Sequence, residues 1–196
     1  VNRTTGTLTI NPLAVTVDIT GNHAEYIYNG NEYVVTGYTI SSSDSLYTED
    51  YITFTGTAEA RGTNAAITPE TWYMMGLTED MFSNNNDNFD VKFNIKEDGY
   101  LEILKAELFV KIDDKVKNYG EADPEWTVTI TGMQGSDTAA QLLAELEAGG
   151  MSMTREAGED VGTYKISFVT LPNEITNYLV NRTTGTLTIN PLAVTV

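Results

Sequence analysis

Along most of this chain apolar and polar residues alternate with period two. Leu13–Ile19, Val91–Ile95, Trp126–Thr131 and Tyr164–Phe168 each put Val, Ile, Leu or an aromatic on one side and Thr, Ser, Lys or Asp on the other. That is the pattern of half-buried strands. Glycines and Asn/Asp clusters punctuate the runs at turn positions. One stretch breaks the period. Thr138 as N-cap, Gln141 three residues on, an apolar face of Ala139, Leu142, Leu143 and Leu146, and Gly149 as a stop predict a helix over about 138–148. The corresponding stretch of the first half, Ser41–Asp50, has helix-start residues followed by β-branched and aromatic ones, and is left unassigned.

The two ends carry the same words. Residues 1–17 read VNRTTGTLTINPLAVTV, and residues 180–196 read the same without a change, an offset of 180 − 1 = 179 residues. An identity of that length is duplication, and a period that long is an array of folded domains rather than a solenoid. Within it a fainter repeat recurs. Asp98–Ile103 matches Thr184–Ile189, Thr71–Leu77 matches Gly162–Phe168, Asn88-Phe89 matches Asn177-Tyr178, and Leu13–Ile19 matches Ala106–Ile112. The unit therefore consists of two cousins of about 90 residues, a normal size for a small domain. The expected organisation is a trailing strand of a preceding repeat at 1–10, a first β-rich domain at 11–103, a second at 104–189, and the start of the next repeat at 190–196. Only Asn11-Pro12 separates the strand ending at Ile10 from Leu13, a short and proline-limited junction that favours a stiff rod. The expected fold is mostly β, two tandem small domains. A β-grasp and an Ig-like sandwich with a helical insertion both accommodate the order strand, strand, helix, strand, strand, strand in the second half.

Composition narrows the chemistry. There is no cysteine, so disulfides, thiolate metal sites and a Cys nucleophile are excluded. His23 is the one histidine, which leaves little for a Ser–His–Asp triad or a zinc site, and it reads as a surface turn residue. A formal charge of −17 disfavours nucleic acid and anionic lipid as partners and keeps a repetitive fibre soluble. No apolar run reaches the roughly 20 residues needed to span a bilayer, so this segment inserts into no membrane. Neither a cofactor nor a metal is expected. The Asn84–Asn88 cluster near Asp90 offers oxygen ligands for calcium but lacks the spaced acidic loop with its distal Glu. Asp113/Asp114 and Glu159/Asp160 are adjacent carboxylates that point to different sides, unsuited to glycoside hydrolysis. A Lys–Asn isopeptide bond has seven lysines to draw on, with nothing marking a trio. The sequons at Asn2 and Asn181 carry no weight in the argument from composition.

Asn118-Tyr119-Gly120-Glu121-Ala122-Asp123-Pro124, then Gly158-Glu159-Asp160-Val161-Gly162-Thr163-Tyr164, then Asn177-Tyr178 before Gly185–Ile189, closely resemble the MBG repeat of the Tyr-Gly-x type. The first half, with Tyr28-Asn29-Gly30, Leu46–Asp50, Phe54-Thr55-Gly56 and Met75-Gly76-Leu77, resembles the partner repeat that alternates with it in surface proteins of gut Firmicutes, related in pattern to the YDG type. It departs from that pattern at Asn29, where Asp is usual, and at Thr71-Trp72-Tyr73. The resemblance implies extracellular, cell-surface-attached modules of adhesin-like proteins and brings no catalytic residues. Its motif residues have structural readings. Tyr28, Gly30, Tyr119, Gly120, Asp123 and Pro124 make turns, in which Gly permits positive φ, Asp accepts from backbone N–H groups and Pro fixes the exit. Gly162 opens a strand. Tyr164 and Tyr178 fill the core with their hydroxyls at the rim. Three uses follow: a non-catalytic stalk whose partners are neighbouring repeats, a module that binds host glycan or mucin, or an accessory domain of a surface hydrolase whose catalytic domain lies elsewhere. The second needs an exposed aromatic platform, for which Trp72, Tyr73, Tyr47 and Tyr51 are the candidates.

Overall fold

The computed structural model describes residues 3–193. The Asn2 sequon and the last three residues of the duplicated segment lie outside the described residues. The chain is mostly strand with one α-helix. It divides into two units: residues up to Glu25, 33–62 and 68–102 form the first, and residues 26–32, 63–67 and from Ile103 onward form the second.

The first unit is built on β1 (Leu13–Gly21), β2 (His23–Ile27), β3 (Tyr33–Thr36), β4 (Tyr38–Ser42), β5 (Ile52–Phe54), β6 (Glu59–Gly62), β7 (Tyr73–Met74), β8 (Phe82–Asn84), β9 (Phe89–Glu97) and β10 (Tyr100–Leu104). Its sheets run β4-β1-β9 and β2-β10-β7, with the pairs β3-β6 and β5-β8 beside them. β2 and β10 run across the division, their first three residues with the first unit and their last two with the second. β1 pairs in parallel with β9 from Leu13 opposite Phe89 and antiparallel with β4. Its alternation buries Val15, Val17 and Ile19. The unassigned stretch 41–50 begins with the last two residues of β4, continues through bends and a turn, and enters a short 3-10 turn at Glu49–Tyr51. The Ser, Asp, Thr and Tyr residues that fill this stretch are weaker helix formers than straight-chain residues.

The second unit contains β11 (Ala106–Ile112), β12 (Lys115–Asn118), β13 (Val128–Thr131), α1 (Ala139–Ala148), β14 (Ser152–Arg155), β15 (Gly162–Thr170), β16 (Glu174–Ile175), β17 (Tyr178–Thr183) and β18 (Gly185–Asn190). Two four-stranded sheets run β13-β11-β17-β16 and β12-β18-β15-β14. β11 and β17 lie parallel at the centre of the first, and the helix follows β13. Ile112 of the first sheet packs with Ile166, Leu187 and Ile189 of the second, and Trp126, Val128, Met153, Tyr164 and Phe168 close around them. Burying each such aliphatic side chain contributes about 1.5–3 kcal/mol. Three short strands, β12, β14 and β16, escape the sequence pattern because strands of two to four residues show too little alternation. The strand expected from Trp126 begins at Val128.

The helix forms where the capping box places it. Thr138 Oγ1 accepts from the Gln141 N–H, and the Gln141 side chain accepts from the Thr138 N–H at 3.0 Å. Leu142 and Leu146 are buried and Leu143 half-buried, but Ala139 is exposed, so the apolar face is narrower than the sequence suggested.

Residues 3–12 form no strand, although their sequence alternates. Leu8 and Ile10 are 85% and 84% exposed.

Candidate functional site

The densest polar constellation lies in the second unit and joins the two motif segments around 118–124 and 158–164. β12 faces Lys117 inward and Val116 outward, so the lysine is 5% exposed and the valine 62%. Lys117 Nζ donates to Asp123 Oδ1 at 2.8 Å and to Glu159 Oε2 at 2.6 Å. Arg155, on β14, donates from Nε to Asp123 Oδ2 at 2.7 Å and also pairs with Glu159. The same guanidinium bonds the Gly158 carbonyl at 2.6 Å and lies over the Tyr164 ring, 5.4 Å from its centre. Two cations and two carboxylates close a four-membered ring of charge. Arg155 and then Lys117 hold Asp123 below the usual carboxylate range, and Lys117 and then Arg155 do the same for Glu159. Hydrogen bonds from Asp123 and Glu159 push Lys117 above the ordinary lysine value. The arrangement is an ionic clasp.

The clasp corrects the turn reading of Asp123. Its carboxylate is taken up by Lys117 and Arg155, and the acceptor for the turn is Glu121, which receives the Asn118 backbone N–H at 2.6 Å and its side-chain amide at 3.0 Å. Gly120 sits at φ +85°, as a tight turn requires, Tyr119 is half-exposed and Pro124 half-buried beyond it. Sequence reasoning missed Lys117 and Arg155. The signal available was charge: both motif segments carry carboxylates, and β12 alternates Lys115 and Lys117 on the side opposite Val116.

A second knot in this unit uses residues from far up the chain. The buried Tyr28 ring meets Tyr178 edge to face, centres 5.5 Å apart. Both hydroxyls donate to Asp137 Oδ2, Tyr28 at 2.9 Å, and Tyr178 also accepts the Gln134 N–H at 2.9 Å. Burial first, then Asp137, raises both phenols above their ordinary value. Gly30 and Gly135 pass back to back. A Cβ on either would lie 2.7–2.8 Å from the other's Cα, and both have positive φ. Only glycine fits there. Asn177 Oδ1 accepts the Ala65 N–H at 2.9 Å, bringing 63–67 to the same unit. Tyr164 donates to the Asp160 carbonyl at 2.8 Å and is half-buried, and Gly162 opens β15.

The aromatic platform candidates are drawn into packing. Tyr47 is buried and Tyr51 half-buried, both against Phe89, and the Tyr47 hydroxyl bonds the Tyr51 carbonyl and Asn84. Trp72 stacks on Tyr100 at 4.2 Å with His23 on the same tyrosine at 5.0 Å, and Tyr73 lies over Gly62. The Asn84–Asn88 oxygens are occupied by the turn itself: Asn84 Oδ1 accepts the Asn86 N–H and Asn86 Oδ1 the Asn88 N–H. Asp113 accepts the hydroxyls of Thr127 and Thr129, and Asp114 accepts the Thr186 N–H. Among the described residues no cluster of three His, Asp or Glu side chains is placed to hold a metal, and no helix is long and apolar enough to cross a membrane.

In comparison with known proteins, the family model described as "MBG domain (YGX type)" matches residues 108–188. No curated protein and no solved structure matches the chain.

Proposed function

Starting from residues 108–188 as an MBG domain of the YGX type, a non-catalytic repeat-type domain of extracellular surface proteins, we propose that this chain is a structural spacer from the stalk of a large bacterial cell-surface adhesin. One observation carries the reading: residues 1–17 return unchanged at 180–196, so the sequence that completes the second unit leads directly into the sequence that opens the first. A protein that repeats in this way holds something else at a distance. Its partners are then neighbouring repeats of the same protein. The packing supports this use, since the rings that a glycan would stack on are occupied by Phe89, Tyr100 and Gly62, and the strongest polar cluster is spent on internal ion pairs.

Tandem proteins of one, two and four 179-residue units test the proposal. Small-angle scattering should give a maximum dimension that grows in proportion to unit number, and a glycan array with mucin fractions should show no binding. A dimension that stays nearly constant, or saturable binding of one sugar class that is lost on Trp72→Ala or Tyr51→Ala, overturns it.

A further inference from the structure

A domain of two packed sheets is closed on its faces and open at its sides, where the end strands leave the core. In the second unit β13 ends one sheet, β14 ends the other, and α1 joins them in the chain. The helix buries Leu142 and Leu146 but leaves this side open. A cavity of about 180 Å³ remains, walled by Trp126, Val128, Leu143, Met151 and Met153, all half-buried. Glu125, Thr127 and Glu147, all exposed, form its mouth. Trp126, Val128 and Met153 also pack on the aliphatic core, so their positions are fixed before anything enters.

The polar groups at the mouth are not equivalent. The Thr127 hydroxyl is engaged, donating to Asp113 and accepting from Lys115 Nζ at 2.7 Å, and Asp113 balances that cation. Among the described residues the Glu125 and Glu147 side chains make no ion pair or hydrogen bond. We propose that this cavity binds a small arylalkylamine, an aromatic ring on a short alkyl chain that ends in an ammonium group. The walls specify the ring, because an indole and two thioethers make favourable contacts with an aromatic and offer an ammonium only weak acceptors. The mouth specifies the charge, because two carboxylates without a cation attract one. Apolar inside and acidic outside is the wrong order for a lysine side chain of a partner, which would enter with its ammonium leading. The volume specifies the size: drug-sized ligands occupy about 300–1,000 Å³, and this cavity has room for one ring.

A ligand of about nine heavy atoms held by one ring and exposed countercharges binds with a Kd of about 1 mM, and more weakly as salt screens the mouth. Trp126 is one of two tryptophans, so it reports occupancy alone once Trp72 is replaced.

The test titrates phenethylamine into the full chain carrying Trp72→Phe, follows the Trp126 emission, and records methyl NMR of the methionines. Expected is a saturable change in emission, with the Met151 and Met153 methyls shifted and the other methionine methyls fixed. Ethylamine keeps the charge and lacks the ring, phenylpropionate keeps the ring and reverses the charge, and each should bind at least tenfold more weakly. Glu125→Gln with Glu147→Gln should weaken phenethylamine at least fivefold and leave the melting temperature unchanged, since both side chains are exposed. No saturable change up to about twenty times the expected Kd, equal binding of ethylamine or of phenylpropionate, or undiminished binding in the double variant would overturn the proposal. Tighter binding of an acetylated Lys-Phe-Lys peptide amide than of phenethylamine would also overturn it, by assigning the cavity to a protein partner.

Discussion

The two units share a plan and differ in what completes it. In the first, β1 pairs in parallel with β9 and antiparallel with β4; in the second, β11 pairs in parallel with β17 and antiparallel with β13. The second sheets also correspond, β2-β10-β7 with β12-β18-β15. The first unit fills its interior with rings, Tyr38, Phe54, Phe82 and Phe93 in mutual contact. The second has an aliphatic core, a capped helix, and a charged clasp where Lys117 turns inward. A common backbone order therefore tolerates two kinds of filling, because alternation specifies only which side is buried.

The largest effect that sharpens this comparison is a cavity in equivalent strands. Leu101 on β10 and Leu187 on β18 are both fully buried, and truncation of either to alanine should cost about 2–5 kcal/mol. Leu8→Ala, in the sequence twin of β18, should stay within about 0.5 kcal/mol. Urea denaturation with peptide-resolved hydrogen exchange separates the three. A Leu8→Ala loss as large as that of Leu187→Ala would mean that residues 3–10 are a structural part of the fold.

The next effect distinguishes the units by acid. In the second, Asp113, Glu121, Asp123 and Glu159 are all held below their ordinary values, whereas in the first Asp18 and Glu70 are. A carboxylate with a depressed folded pKa contributes stability that is present above its unfolded value, near pH 4, and lost as pH falls through the folded one. Between pH 5 and pH 2 the second unit should therefore weaken more than the first. Lys117→Met should lower the melting temperature at pH 7 by several degrees and flatten that acid slope, because Asp123 and Glu159 lose a shared cation while the methionine still fills the space. An unaltered melting temperature together with an unaltered acid profile would show the clasp to be idle.

The smallest effect concerns the knot. Tyr28→Phe keeps the ring against Tyr178 and removes one hydrogen bond to Asp137, which still receives the Tyr178 hydroxyl. A loss of about 0.5–1.5 kcal/mol is expected. Gly30→Ala, at a position with no room for a Cβ and positive φ, should cost more than the lost hydroxyl. Calorimetry on both variants checks the order, and a reversed order would mean that the 26–32 segment is held by its hydroxyl rather than by its close backbone approach.

Sequence by itself determined the strand character, the helix with both halves of its capping box, the pseudo-repeat and the equivalence of β1 with β11 and of β10 with β18. These are local properties: alternation, cap chemistry and turn glycines act over a few residues, and the pairs Asn88-Phe89 and Asn177-Tyr178 mark β9 and β17 just as locally. Tertiary structure decided which strands are neighbours across sequence gaps of seventy residues, and gathered residues 26–32 and 63–67 with the second unit. It also turned Lys117 inward, assigned Asp123 to Lys117 and Arg155 rather than to its own turn, and drew Tyr47 into packing. The clearest case is the octapeptide present twice. Its Leu and Ile are buried in β18 at 187 and 189 and exposed at 8 and 10, and the difference lies in β12 and β15 being beside the one and not the other, neighbours that no property of the eight residues can supply.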